Sequence, residues 1–187
     1  GSGGRVHKGL PEEIATETSV FTRVGVERIH RFAFELAKQR KRRLLTLVTK
    51  SNAQRHGMVL WDEIFYEVAT KYPEVKTDRM LVDAVTTRMV LKPESLDTIV
   101  ASNLHADILS DLAAALSGSL GIAPTANLNP ERKFPSMFEP IHGSAFDITG
   151  KGVANPIATF WTASMMLEHL GESKAAARLM TAVERTT

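Results

Sequence analysis

The chain has 187 residues, 43% hydrophobic and 24% charged, with a formal net charge of +2 and no cysteine. That length holds one full domain or parts of two, and the composition is that of an ordinary soluble globular protein. Lys and Arg are spread along the chain, so no clustered basic face marks a nucleic-acid partner. The run Lys38 to Arg43 closes a helical pattern and reads as a solvated helix end, where cations are favoured. Without cysteine there are no disulfides, thiolate nucleophiles or Cys-based zinc sites. No apolar stretch reaches about 18 residues and no signal peptide opens the chain, so the expectation is a cytoplasmic protein without a membrane partner.

The opening GSGGRVHKGLPEE is rich in Gly and Pro and reads as loop or arm, with Gly1 to Gly4 a linker or a native turn. Ile14 to Phe21 reads as a strand. From Gly25, the residues Val26, Ile29, Phe32, Ala33, Leu36 and Ala37 recur at three and four, the spacing of an amphipathic helix. Arg43 to Val48 is a short apolar run that fits a buried parallel strand. Gly57 to Lys71 reads as helix stopped by Pro73. Thr77 to Val82 is a strand, Ala84 to Leu91 a helix ended by Pro93, and Asp97 to Ala101 a short buried strand. Leu104 to Ser117 is a helix with Leu104, Ile108, Leu112 and Leu116 on one stripe. Gly118 to Pro140 is loop-rich, with four prolines. Asn155 to Leu170 and Lys174 to Ala182 close the chain as helices. Strands alternating with helices predict an α/β fold whose sheet is largely parallel and flanked by helices.

Three acids hold suggestive places. Asp83 stands where a strand gives way to a helix. Asp107 and Asp111 lie four apart on the next helix, so they share a face and repel each other. A divalent cation between them reverses that sign, and Mg2+ or Mn2+ takes such oxygen ligands. The plainer alternative is that Asp83 caps its helix and the other two are solvated. Lys50 stands at a strand end, where ligands of α/β sheets bind and a lysine can move protons. It can equally be a surface lysine in a turn.

The passage EPIHGSAFDITGKGVANP, Glu139 to Pro156, is the densest in signals. Gly143, Gly150 and Gly152 allow close backbone approach to a ligand. Asp147 can accept hydrogen bonds from a ribose diol. It is no GxGxxG and does not lead a strand into a helix, so the ordinary dinucleotide fingerprint is absent. A loop this long in a compact domain is usually functional.

Taken together, VTKSNAQRHGMVLWDEIF, NLHADILSD within the Asp78 to Leu128 stretch, and FEPIHGSAFDITGKGVANPIAT resemble the β-decarboxylating dehydrogenases, the isocitrate, isopropylmalate and tartrate/D-malate enzymes. The stretches follow the family order and cover most of the chain. SNAQRHGMVLWDE and IAPTANLNPERKFPSMFEP are most similar to the tartrate/D-malate branch. The resemblance implies an isopropylmalate dehydrogenase-like fold in incomplete two-domain form. Residues 1–118 would carry the arm, the metal-site helices and part of a central dimerisation domain, and residues 119–187 part of the nucleotide-binding domain.

It also implies roles. Lys50 would handle the proton of the substrate hydroxyl and of the enol. Asp83, Asp107 and Asp111 would ligate Mg2+ or Mn2+, with Asp83 beside Lys50 in the catalytic pair. Asn52 would lie near the nicotinamide. Glu139, His142, Gly143, Ser144, Ala145, Asp147 and Asn155 would form the NAD loop, with Asp147 on the adenosine ribose. K+ is a further candidate ion. Lys50 and Asp83 would come from one subunit and Asp107 and Asp111 from the other, so a homodimer would complete each site for a small 2-hydroxy acid. Two positions depart from the family: Phe146 replaces a usual proline, and His105 a frequent phenylalanine. Family members are longer, with substrate-binding arginines expected before Gly1. A fragment with an exposed apolar face is therefore expected. Two competing readings are an inactive dimerisation module and a nucleotide-binding protein without metal dependence.

Overall fold

The computed structural model describes residues 2–187, and Gly1 lies outside them. The chain divides into two compact units, Gly1–Leu109 and Ser110–Thr187. The first begins with a hairpin. Strand β1 (Ser2–Val6) pairs antiparallel with β2 (Ile14–Thr18), Val6 opposite Ile14. Within the stretch expected to be loop or arm, residues 7–13 form the turn and Ser2–Val6 is therefore strand. Its Gly residues hid the signal, yet one is needed there: a Cβ on Gly3 would stand 2.1 Å from the Thr16 carbonyl oxygen.

Helix α1 (Arg23–Gln39) follows, with the Thr22 hydroxyl accepting from Gly25 N at 3.2 Å as its N-cap. It buries Val26, His30, Ala33, Phe34 and Ala37. Ile29, Phe32 and Leu36, expected in the core stripe, are exposed. The buried face is turned toward His30 and Phe34 because the largest aromatic contacts, with Phe65 and Tyr72, are made there.

The central sheet has three parallel strands in the order β4-β3-β5. They are β3 (Leu44–Thr49), β4 (Lys76–Leu81) and β5 (Thr98–Val100). Strand β3 lies in the middle, and its LLTLVT run is almost wholly buried, as a strand covered on both faces requires. Arg43, expected in this strand, sits instead at φ 48° in the turn before it. Helices α2 (Gly57–Ala69) and α3 (Val82–Leu91) are the crossovers. The core joins Phe34, Leu45, Leu47, Met58, Trp61, Ile64, Phe65 and Val100. Each fully buried aromatic or aliphatic side chain there stabilises the fold by about 1.5–3 kcal/mol through apolar burial.

Helix α4 (Asn103–Leu116) runs across the division between the units. Its expected stripe is not buried in this chain: Leu104, Ile108 and Leu116 are exposed at 63%, 54% and 48%. His105, Leu109 and Ala114 are its buried positions.

In the second unit, β6 (Pro124–Asn127) and β7 (Met137–Pro140) pair antiparallel. This hairpin falls in the passage expected to be loop. Its strands are four residues each and carry prolines at their paired ends, Pro124 opposite Pro140, which masked them. Helix α5 (Ile157–Leu170) covers the hairpin, and the Thr162 hydroxyl donates to the Glu139 carbonyl at 3.2 Å. Helix α6 (Ser173–Thr186) packs on α5, where the Ser164 hydroxyl donates to the Ala176 carbonyl at 3.0 Å. Gly171 ends α5 at φ 90°, a left-handed C-cap that few other residues adopt.

Candidate active site

Parallel strands end on the same side, so the turns after β3 and β4 meet. Lys50 directly follows β3, and Asp83 sits in the first turn of α3, just after β4. The Lys50 ammonium donates to Asp83 Oδ1 at 2.5 Å. The side chains are 29% and 64% exposed, so the lysine is largely sheltered while the carboxylate faces solvent. The Lys50 hydrogen bond, followed by a backbone hydrogen bond, holds the Asp83 carboxyl below the usual range. Asp83 is thus anionic and open to a further cation. It does not cap α3: the N-cap is Leu81, without a side-chain bond, and Asp83 lies inside the helix, where the dipole favours an anion.

The turn after Lys50 is tightly bonded. Ala53 N and Gln54 N both donate to the Lys50 carbonyl at 2.9 Å, and Ser51 N donates to Thr49 Oγ1 at 3.2 Å. Ser51 Oγ donates to Asp62 Oδ2 of α2 at 2.7 Å. Arg79, on β4, donates through Nε to the same carboxylate oxygen at 3.0 Å and through Nη2 to Ser51 Oγ at 2.7 Å. Sequence reading missed Ser51, Asp62 and Arg79. The one available signal was a charged residue, Arg79, third from the end of a strand whose last two residues, Met80 and Leu81, are apolar. Asn52 lies in this turn and is exposed.

Buried His105, at the start of α4, has its imidazole pushed below its ordinary pKa, first by burial and then by the nearby Lys50 ammonium. Asp107 and Asp111 follow on the exposed side of the helix beside Leu104 and Ile108. Among the described residues, no three His or acidic side chains converge on a metal position within one chain. Asp83 is brought to Lys50; Asp107 and Asp111 are not gathered with it into one cluster.

In the second unit, Glu139 is the penultimate residue of β7, and the loop to α5 carries His142, Gly143, Ser144, Ala145 and Asp147. Gly143, Gly150 and Gly152 have positive φ, and so does Ala145 at 43°, an uncommon state for a residue with a side chain. A strained backbone of this kind clusters at ligand clamps. His142 Nδ1 lies 2.8 Å from the Gly143 carbonyl, to which it can donate. The Asp147 carboxylate and the Phe146 ring are exposed, the ring at 84%. Asn155 Oδ1 accepts from Ile157 N at 3.0 Å, which fixes the loop to the start of α5.

The model of the isocitrate/isopropylmalate dehydrogenase family matches residues 2–187. A probable tartrate dehydrogenase/decarboxylase of Agrobacterium vitis is 76% identical over 187 residues, all of this chain and 52% of that protein. The D-malate dehydrogenase (decarboxylating) of Escherichia coli strain K12 is 56% identical over 169 residues, 90% of this chain and 47% of the relative. Among solved structures, isocitrate dehydrogenase from Methylococcus capsulatus superposes with a TM-score of 0.87 at 41% identity, over 97% of this chain and 52% of that one. The chain spans about half the length of the curated relatives it matches. A family match along nearly its whole length, with a parallel α/β sheet and a 76% identical relative, shows that the chain belongs to the isocitrate/isopropylmalate dehydrogenase family.

Proposed function

We propose that these residues belong to a dehydrogenase that oxidises and decarboxylates a small 2-hydroxy acid of the tartrate or D-malate type, using NAD and Mg2+ or Mn2+. The observation that carries this reading is the Lys50–Asp83 pair at adjoining strand ends, a proton-bearing amine against an anionic, solvent-facing carboxylate. The names of the relatives support the substrate class.

The donors present fit the metal. Asp83, Asp107 and Asp111 offer only hard oxygen ligands, and all three are exposed. Asp83 of one protomer, with Asp107 and Asp111 of a second, would hold the ion in a homodimer. Exposure of the apolar residues Leu104 and Ile108 beside these acids favours such pairing. Bound there, a divalent ion would supply Lewis-acid polarisation of the substrate oxygen. The loop also fits NAD. Its exposed His142 imidazole suits an adenine ring, and its Asp147 carboxylate suits a ribose diol. NAD would supply the two-electron oxidant.

The chain's own contribution is proton movement and orientation. Once its ammonium has released a proton to solvent, the neutral Lys50 Nζ takes the proton from the substrate hydroxyl and returns one to the enol left when CO2 departs. Asp83 holds the ammonium in place between these events, and Asn52 orients the reacting end. We assign residues 1–118 to the arm and the central dimerisation domain, and 119–187 to the nucleotide-binding domain.

The test is NADH formation by the full-length protein from D-malate, tartrate and 3-isopropylmalate, each with Mn2+ and with EDTA. Metal-dependent turnover of the first two acids supports the reading. Preference for 3-isopropylmalate moves it to that branch, and absence of turnover on all three from folded protein overturns it.

A further inference from the structure

We infer that Arg79 is a positioning residue for Lys50, acting through Ser51 and Asp62; its catalytic consequence rests on the proposed dehydrogenase reading. Ser51 is the residue directly after Lys50, and a shift of its backbone swings the lysine. Ser51 Oγ has one proton, which it gives to Asp62 Oδ2 at 2.7 Å, and it accepts from Arg79 Nη2 at 2.7 Å. Arg79 Nε closes the ring on the same Asp62 oxygen at 3.0 Å. Three side chains from the β3–α2 turn, from α2 and from β4 thus form a closed triangle. The planar guanidinium makes both contacts with fixed geometry, which a lysine cannot copy.

The triangle is sheltered where it matters, since the Asp62 side chain is only 14% exposed. Arg79 faces Leu47 in the parallel register, and Leu81 faces Thr49. Two polar ties therefore join the strand ends of β3 and β4: Arg79 to Ser51, and Asp83 to Lys50. The second tie must break whenever Lys50 turns to a substrate. The first involves no atom of Lys50 or Asp83, so it holds the lysine's backbone while the side chain moves. An amine free to leave its carboxylate but anchored at its Cα is what repeated proton transfer requires.

The experiment uses the full-length protein with Arg79→Met, Arg79→Lys and Ser51→Ala. Two readouts are taken: steady-state kinetics, and the rate at which an amine-acylating reagent modifies Lys50, followed by peptide mass spectrometry. In Arg79→Met we expect kcat to fall about tenfold with both KM values within about twofold, because misplaced reacting groups lose rate more than binding. Lys50 acylation should speed up severalfold. Ser51→Ala should show the same changes in smaller measure, and Arg79→Lys should recover only part of the loss.

Wild-type kcat and wild-type acylation in a folded Arg79→Met protein overturn the proposal. If Arg79→Met does not fold, Ser51→Ala decides, and a Ser51→Ala protein unchanged in both readouts overturns it as well. If the wild-type protein oxidises no hydroxy acid, the dehydrogenase reading falls, while the acylation rates still decide whether Arg79 holds Lys50.

Discussion

Acid should destabilise the first unit through His30. This side chain is fully buried, edge-on to Trp61 at 4.3 Å between ring centroids and to Phe65 at 5.4 Å. Neither ring nitrogen has a hydrogen-bond partner among the described residues. Burial pushes its pKa from 6.5 down to about 4, against a smaller opposing pull from the Asp62 carboxylate. Above the unfolded value both states carry a neutral ring, and His30 adds no pH dependence. Between the two values the unfolded chain binds a proton that the native state refuses, so stability falls as pH falls. The full effect is about 3 kcal/mol, and about 2 kcal/mol of it accrues between roughly pH 7 and pH 5. With a urea slope of about 2 kcal/mol/M, the unfolding midpoint should drop by about 1 M over that interval. Other groups titrate in the same range, so the measurement is a difference. Urea midpoints at both pH values are compared for the wild type and for His30→Leu, an apolar replacement that needs no partner. The wild type should lose about 1 M more than the variant. Equal losses in the two proteins would refute the argument, because the slope would then arise elsewhere.

Further predictions follow from the same geometry. Phe34→Ala, which empties a fully buried site stacked on Tyr72 and tilted against Phe65, should cost about 3–5 kcal/mol, read from urea melts. Asp107→Asn should weaken Mn2+ binding, followed by calorimetry on the full-length protein, and leave the circular-dichroism spectrum unchanged. Survival of full metal affinity would remove Asp107 from the site. Asp147→Lys should move coenzyme preference from NAD toward NADP, measured as the ratio of kcat/KM values, since a cation in place of the carboxylate suits a 2′-phosphate.

The parallel α/β core was readable in the sequence because β3, α2 and β5 are apolar runs of the right length between breakers, and the observed strands match within a residue or two. Of the first hairpin, Ile14–Thr18 was readable as strand but its partner was not, and neither strand of the second hairpin was. Ser2–Val6 and Pro124–Asn127 consist largely of glycine, proline and small polar residues, and they are strands because of what they pair with. Periodicity placed Val26, Ala33 and Ala37 of α1 in the core, as they are, but set the rest of the stripe on Ile29, Phe32 and Leu36 instead of His30 and Phe34. Ile29, Phe32 and Leu36 are as apolar as the residues that are buried, and the choice was made by the aromatic partners across the interface. At the candidate site, Lys50 and Asp83 were visible as strand-end residues. The Ser51–Asp62–Arg79 triangle was not, since its three members are scattered over some thirty positions and become neighbours only through the parallel register of β3 and β4.

The strand order β4-β3-β5 also sets an order in time. Strand β3 lies between its partners in space but is made before either of them. About fifty residues separate the end of β3 from the start of β5. At a synthesis rate of about 5–20 residues per second, one flank of the apolar LLTLVT segment waits roughly 3–10 s for its neighbour to emerge. During that interval the nascent chain presents an unpaired, greasy ribbon, the kind of segment that holdase chaperones shield. Substitutions that slow the making or docking of α2 and α3 should therefore lower the yield of soluble protein in cells even where the finished fold is no less stable.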